Sequence, residues 1–329
     1  MINISFKDGQ GLGNQLWMFA VAKSISEELR VRLNIYEFDK FKGKSFLILD
    51  NEYKYKHSID HYNHKKEIKF FNEKIFYDQD LKFTLSDFDE RVLQIKEPTL
   101  LNGIFQSESY FFGDLLKLKK YIKLKKVVKE KNKIDQDVCL LNIRGGEYKR
   151  HKNFILPLNY WLDAMNNYRN LFNVEKFKIV TDDYRYARNL FPKLDIIHGD
   201  ISKCYSSLYN SKNIIVSNSS FSYFPCKTGI EKRVIAPMYW ARPNNKFYRW
   251  VSPCNLYKDW LWQDNNSDLI TYEECLKIVK DSREYYEKEY TVLINRKCVP
   301  KNNIFHLVPN PLKIKVKKFL GYFFPRHFG

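Results

Sequence analysis

The segment with the most direct chemical reading is Asn142-Ile143-Arg144-Gly145-Gly146-Glu147-Tyr148, an arginine followed by two glycines. A guanidinium is always charged and presents a planar fork of donors, a shape suited to bidentate contact with a diphosphate. Beside a departing diphosphate it would stabilise the developing negative charge without a metal ion. Elsewhere the same side chain is an ordinary surface arginine in a turn. Three further segments hold residue types of comparable interest. Gly11-Leu12-Gly13-Asn14-Gln15 combines glycines that permit close backbone approach with the free amides of a following helix start. It lacks the third glycine and the later acid of a dinucleotide fingerprint, so alone it reads as a strand-to-helix turn. Thr181-Asp182-Asp183 offers paired acids that can bind a divalent ion, cap a helix, or accept hydrogen bonds from a guanine edge. Ser217-Asn218-Ser219-Ser220-Phe221-Ser222 places small hydroxyls where they can donate to phosphate oxygens or serve as an N-cap.

These segments share a position: each falls at or just after the end of an expected strand, where open α/β sheets bind ligands. Residues 2 to 6 alternate as a strand, Lys7 to Gly13 form a turn, and Asn14 to Arg30 carry apolar residues at helical spacing. Leu16, Phe19, Ala20, Ala22 and Ile25 form the expected buried stripe, with Glu27, Glu28 and Arg30 on the wet face. Short strands are expected at Val31 to Ile35, Phe46 to Leu49 and Glu67 to Phe71, and Leu116 to Lys133 reads as a solvated, Lys-rich helix. Next come strands at Val138 to Ile143, Phe177 to Thr181, Leu194 to His198 and Asn213 to Ser217. They alternate with helices at Asn159 to Leu171, Asp183 to Leu190 and Cys204 to Asn210. Such alternation predicts an α/β domain with a doubly wound parallel sheet.

A length of 329 residues fits two domains of roughly 150 residues. Expected boundaries are 1–133, 134–300 and a basic, aromatic tail at 301–329. Hydrophobic residues make up 44% of the chain and aromatics 16%, which excludes the sparse composition of a disordered chain. Lys plus Arg number 56 against 38 Asp plus Glu, a formal charge of +18 that favours an anionic partner without choosing among nucleic acid, membrane and phosphorylated ligand. No helix-turn-helix, RNP strand or zinc finger pattern supports nucleic acid. The six cysteines lack zinc or Cys-x-x-Cys spacing and read as reduced structural thiols. No signal sequence is visible, and no apolar run approaches the roughly 18 to 20 residues of a spanning helix. A cytoplasmic protein is expected, or one on the inner face of the cytoplasmic membrane.

In order and content the segments resemble the bacterial α-1,2-fucosyltransferase family. Its pattern is a G-G-L-G-N-Q start, a central H-x-R-R-G-D-Y, an S-D-D strand end and N-S-S-F-S-W-W-G. The matching stretches are Gln10 to Gln15, Asn142 to Tyr148, Thr181 to Asp183 and Asn218 to Phe224, supported by Asn102 to Phe111, Leu156 to Tyr160 and Val234 to Trp240. The resemblance implies a GT-B fold, two Rossmann-like α/β domains facing a cleft. It further implies an inverting glycosyltransferase moving a sugar, L-fucose foremost, from a GDP-sugar to a glycan or lipid-linked glycan hydroxyl, without metal or other cofactor. By position Arg144 would contact the β-phosphate, and Asn218, Ser219, Ser220 and Phe221, with Gly11 and Gly13, would line the donor site. Asp182 or Asp183 would meet guanine. Asn14 would approach the reacting centre, and Glu147 would take the hydroxyl proton or brace its loop.

Departures from the pattern bear on the sugar. Asn142 replaces His, Gly145 replaces the second Arg, Glu147 lengthens an Asp, Tyr223-Phe224-Pro225 replaces Trp-Trp-Gly, and Gln10 replaces the first Gly. They leave room for another GDP-deoxyhexose or a GDP-heptose as donor, or for a catalytically inactive nucleotide-binding relative. The tail from Leu312 to Phe328 mixes basic and aromatic side chains, a composition suited to an anionic membrane surface or to packing on the body.

Overall fold

The computed structural model describes residues 1–50, 69–78, 83–150, 154–240, 248–250, 255–289 and 292–293. Strand β1 (Ile2–Ser5) runs through a glycine loop into the helix Leu12–Glu28, and is followed by β2 (Leu33–Tyr36) and β3 (Leu47–Leu49). Next are β4 (Lys69–Asn72), β5 (Ile75–Asp78), β6 (Phe83–Ser86), β7 (Thr99–Asn102) and β8 (Ile122–Leu124). Four of these form an all-parallel sheet in the order β2-β1-β7-β4. Ile2, Ile4, Leu33 and Ile35 are buried in it, the near-continuous apolar content of strands covered on both faces.

The second sheet begins with β9 (Val138–Ile143), β10 (Lys176–Thr181), β11 (Asp195–Ile197) and β12 (Asn213–Val216). It continues through β13 (Arg233–Pro237), β14 (Leu261–Gln263) and β15 (Leu269–Ile270), while β16 (Val292–Leu293) pairs with β5. Its order is β11-β10-β9-β12-β13-β14-β15, parallel as far as β14. Numbered from β9, this is the doubly wound order 3-2-1-4-5-6, whose direction of winding reverses between β9 and β12. Helices Leu158–Phe172, Tyr184–Leu190, Ile201–Asn210 and Ser220–Thr228 make the crossovers. The α/β class and the doubly wound arrangement expected from the alternation are both present.

One expectation needs correction. The stretch 116–133 is not one helix: short helices Lys117–Tyr121 and Lys126–Lys131 flank β8, which pairs antiparallel with β3. Within it Ile122 and Leu124 are buried and Lys123 is exposed, so the apolar period there is two, not 3.6. In the helix Leu12–Glu28 the expected stripe is buried and Glu28 is exposed, and burial extends to every residue from Gln15 to Ser26. This helix is enclosed by its own sheet and by the helix Ser220–Thr228, against which Trp17 stacks on Tyr223 with ring centroids 4.2 Å apart. Both sheets fall within one unit, Met1–Ile294. Cys139, Cys204, Cys226 and Cys275 are unpaired and buried. Among the described residues no helix is long and apolar enough to cross a membrane. The tail at 301–329, with Leu312 to Phe328, lies outside the described residues.

Candidate functional site

The carboxyl ends of β9 and β12 flank the reversal point of the second sheet, and a cavity of about 810 Å³ opens there. Across it lies the glycine loop that follows β1. Gly11, Gly13, Asn14, Arg144, Glu147, Asp182, Asn218, Ser219, Ser220 and Phe221 all line this one cavity, whereas Asp183 does not. The four sequence segments, drawn from a span of more than two hundred residues, thus converge.

Each is held there by a local cause. β9 is buried along its whole length and delivers Arg144 at its end. Arg144 Nη1 pairs with Asp182 Oδ2 at 3.0 Å, and Asp182 Oδ1 accepts the Gly145 amide, also at 3.0 Å. The guanidinium lies over the Tyr148 ring, 5.5 Å from its centroid. Tyr148 Oη in turn donates to the Asn218 carbonyl at 3.1 Å, tying the two sheet ends together; burial raises the Tyr148 pKa, so this hydroxyl keeps its proton. A Cβ at Gly145 would lie 2.8 Å from Asp183 Cβ and from Tyr186 Cδ1, and one at Gly146 would lie 2.4 Å from Asp182 Oδ2. The loop therefore closes against its acids only with glycine at both places.

Asp183 serves a different purpose. Its carboxylate accepts the Tyr186 amide at 3.1 Å as the N-cap of the helix Tyr184–Leu190, and it pairs with Lys149. Burial works to raise its pKa, but the Lys149 contact and the Tyr186 amide outweigh it and hold the carboxyl below its ordinary value.

On the facing wall the glycine loop meets the start of the helix Ser220–Thr228. A Cβ at Gly13 would stand 2.4 Å from the Ser220 carbonyl carbon and 2.6 Å from the Phe221 nitrogen, so glycine is required by close approach of two backbones. Ser219 caps that helix, accepting from the Phe221 amide. Asn14 Oδ1 accepts from Ser220 Oγ at 2.7 Å and from Gln106 Nε2 at 2.8 Å. With its oxygen thus occupied, Asn14 keeps its amide nitrogen as a further donor.

Several cavity residues are not among the site candidates, although Gln106 and Trp240 lie in the supporting stretches Asn102 to Phe111 and Val234 to Trp240. Gln106 follows β7 and is held by Asn255, whose Nδ2 donates to the Gln106 carbonyl at 3.3 Å. Lys42 reaches the cavity because buried Gln15 clamps its loop: Gln15 Nε2 donates to the Lys40 carbonyl and Oε1 accepts the Lys42 amide, both at 2.9 Å. Trp240 and Cys204 also line the wall; burial pushes the Cys204 thiol up to about 11, and it stays protonated and inert near neutral pH.

Around the reversal point, polar atoms are buried without partners among the described residues. They are Asn142 Oδ1, Arg144 Nε, Ser217 Oγ, and both Asn218 Oδ1 and Nδ2. A buried polar atom without a hydrogen bond costs about 1–3 kcal/mol, and native structures leave few. Five such atoms on four residues at the end of two adjacent strands mark a place built for a polar ligand. Donors and acceptors are mixed there, beside a guanidinium and the amino ends of two helices that favour negative charge.

No protein-family model matches the chain, nor does any curated protein. Among solved structures it is similar to the NodZ α-1,6-fucosyltransferase soaked with GDP-fucose, at 15% identity over 73% of this chain and 96% of that one, with a TM-score of 0.42. The glycosyl transferase family 9 protein of Veillonella parvula is similar at 10% identity over 86% and 97%, TM-score 0.44. POFUT1 in complex with GDP is similar at 10% identity over 71% and 97%, TM-score 0.40.

Proposed function

We propose that the chain is a glycosyltransferase that moves a sugar, L-fucose foremost, from a GDP-sugar to a hydroxyl of a glycan or lipid-linked glycan at the inner face of the cytoplasmic membrane. The observation that carries this reading is the cluster of unpartnered buried polar atoms on Asn142, Arg144, Ser217 and Asn218, set where a doubly wound sheet binds nucleotides. The collinear resemblance of those segments to the α-1,2-fucosyltransferase pattern supports it.

In this reading the acceptor oxygen attacks the anomeric carbon while the bond from that carbon to the diphosphate oxygen breaks, inverting the centre in one displacement. Charge grows on the β-phosphate as the bond breaks. Arg144 meets it, held at a fixed angle by Asp182 and Tyr148, so its donors are aimed before the reaction begins. The Asn14 amide approaches from the opposite wall. Glu147, exposed on the cavity rim, takes the hydroxyl proton. The leaving-group charge is met by a guanidinium, so turnover is expected to persist in EDTA.

One observation favours a donor other than GDP-fucose. Asn142 lines the cavity where the family pattern has His, and an amide and an imidazole offer different hydrogen bonds. A panel of GDP-sugars, scored for hydrolysis and for transfer, tests both readings. Arg144→Ala should lower turnover by about 10²- to 10³-fold and weaken GDP binding in calorimetry. Undiminished turnover in that variant, or no heat with GDP in the parent protein, would sink the proposal.

A further inference from the structure

The Lys-rich stretch 117–133 plays no part in the cleft, yet its surface is unusual. It contains nine lysines and one acid, Glu130. Its backbone is ordered by β8 pairing with β3, in which Leu47 faces Leu124 and Leu49 faces Ile122, all buried. The middle pair, Ile48 and Lys123, points to the other side of this two-stranded ribbon, and both are exposed. At the helices that flank β8 in the chain, Leu116 and Val127 are the large apolar side chains with the greatest exposure described, at 76% and 77%, with Ile48 at 51%. Lys119, Lys120, Lys123 and Lys126 of the same stretch are exposed. Among the described residues, Lys120 and Lys126 are the ones of these four with carboxylate neighbours, Asp50 at 4.0 Å and Glu130 at 3.9 Å, distances at which an exposed pair holds little.

We infer that this ribbon and its two flanking helices form a docking face for an anionic phospholipid bilayer, with Leu116, Ile48 and Val127 entering the interface and the lysines meeting the headgroups. Basic side chains around a few apolar ones suit a surface that is charged outside and apolar just beneath. Single-stranded nucleic acid would call for exposed aromatic rings on which bases stack, and the exposed apolar groups on this face are aliphatic. A duplex would use the charge but leave three aliphatic side chains in water. None of these residues lines the donor cavity, and the inference stands or falls without the donor reading.

Vesicle co-sedimentation of the full chain tests it, with phosphatidylserine–phosphatidylcholine vesicles against phosphatidylcholine alone. The parent protein should partition onto the anionic vesicles and release with added salt. With each basic residue near the surface contributing about 1 kcal/mol, the triple variant Lys119→Glu, Lys120→Glu, Lys123→Glu should bind at least about 100-fold more weakly. Leu116→Ser with Val127→Ser should also weaken binding, while the charges remain. Thermal unfolding of each variant should match the parent. Should the triple variant unfold, Lys123→Glu alone reports, with a loss of about 5-fold expected. Hydrogen exchange of the 116–128 amides should slow on anionic vesicles. Equal binding to neutral vesicles, undiminished binding of the charge variants, or capture of RNA but not vesicles by this face would each overturn the assignment.

Discussion

Substituting Gly13 by Ala puts one methyl group between two backbones. The added carbon would lie 2.4 Å from the Ser220 carbonyl carbon, 2.5 Å from its oxygen and 2.6 Å from the Phe221 nitrogen, where ordinary contact begins at 3.4 Å. No rotamer change relieves a clash with backbone, so the helices Leu12–Glu28 and Ser220–Thr228 must part by about 1 Å. The same displacement stretches the Ser220 Oγ to Asn14 Oδ1 bond from 2.7 Å to about 3.7 Å, beyond a hydrogen bond. It also disturbs the stack of Trp17 on Tyr223. We expect a stability loss of about 1–3 kcal/mol from overpacking. Turnover should fall by about 10²-fold, because reacting groups on the two walls shift by about 1 Å relative to each other. Urea unfolding gives the first quantity and kcat/KM for GDP-sugar consumption the second. Gly11→Ser is the stability control: no atom stands within 4 Å of a Cβ there, and serine is a favoured N-cap. Parental stability and turnover in Gly13→Ala would refute the close-approach argument.

Three other outcomes are expected. Restoring the family's second arginine by Gly145→Arg should destabilise the chain by about 1–3 kcal/mol, since its Cβ would meet Asp183 and Tyr186 at 2.8 Å; Tyr186→Ala should recover part of the loss in urea titrations. Asp183→Ala should cost about 1–2 kcal/mol near pH 7. Because the folded carboxyl titrates below its ordinary value, its stabilisation is present above the unfolded pKa, about 4, and fades as pH falls through the folded one. The gap between parent and variant should therefore close in acid. Lys232 donates to the carbonyls of Tyr209 and Ser211 at 2.9 and 2.6 Å, and burial lowers its pKa to about 8. Between that value and the unfolded value of about 10.4 the unfolded chain binds more protons, so this group makes stability rise with pH. Calorimetric melting should show that rise in the parent and lose it in Lys232→Met.

Much of the architecture was legible in residues 138–217, where the strands are rich in apolar residues and two of the three helices start at Asp caps, Asp183 and Asp200. There the local pattern and the tertiary environment agree. At 116–133 they diverge: lysines on both sides of Ile122 and Leu124 imitate a solvated helix, and only pairing with Leu47–Leu49 shows the period of two. In the helix Leu12–Glu28 the expected buried residues are buried, but burial on two sides extends well beyond that stripe. The site segments could be picked out by residue type and position after strands, but their convergence could be expected only through the family resemblance. Ser220 and Asn14 are 206 residues apart, and Lys42 owes its place to a buried glutamine whose role exists only once the loop is folded.

The departures from the family pattern separate once their surroundings are known. Tyr223 and Phe224 are fully buried; Tyr223 stacks on Trp17 and donates to Glu108 Oε1 at 2.9 Å. Their replacement of Trp-Trp is thus a matter of core filling, since neither residue lines the cavity. Gly145 answers to Asp183 and Tyr186, and the charge lost with the second arginine has a counterpart across the cavity in Lys42, which no carboxylate neutralises among the described residues. Asn142 is different. It is 1% exposed, it lines the cavity, its Nδ2 is spent on the Val180 carbonyl at 3.4 Å, and its Oδ1 has no partner. A group that differs from the pattern and is also unsatisfied points to the ligand, not the core, as the thing that differs. Asn142→His is therefore the substitution that should move preference between GDP-sugars, where Tyr223→Trp should change stability alone.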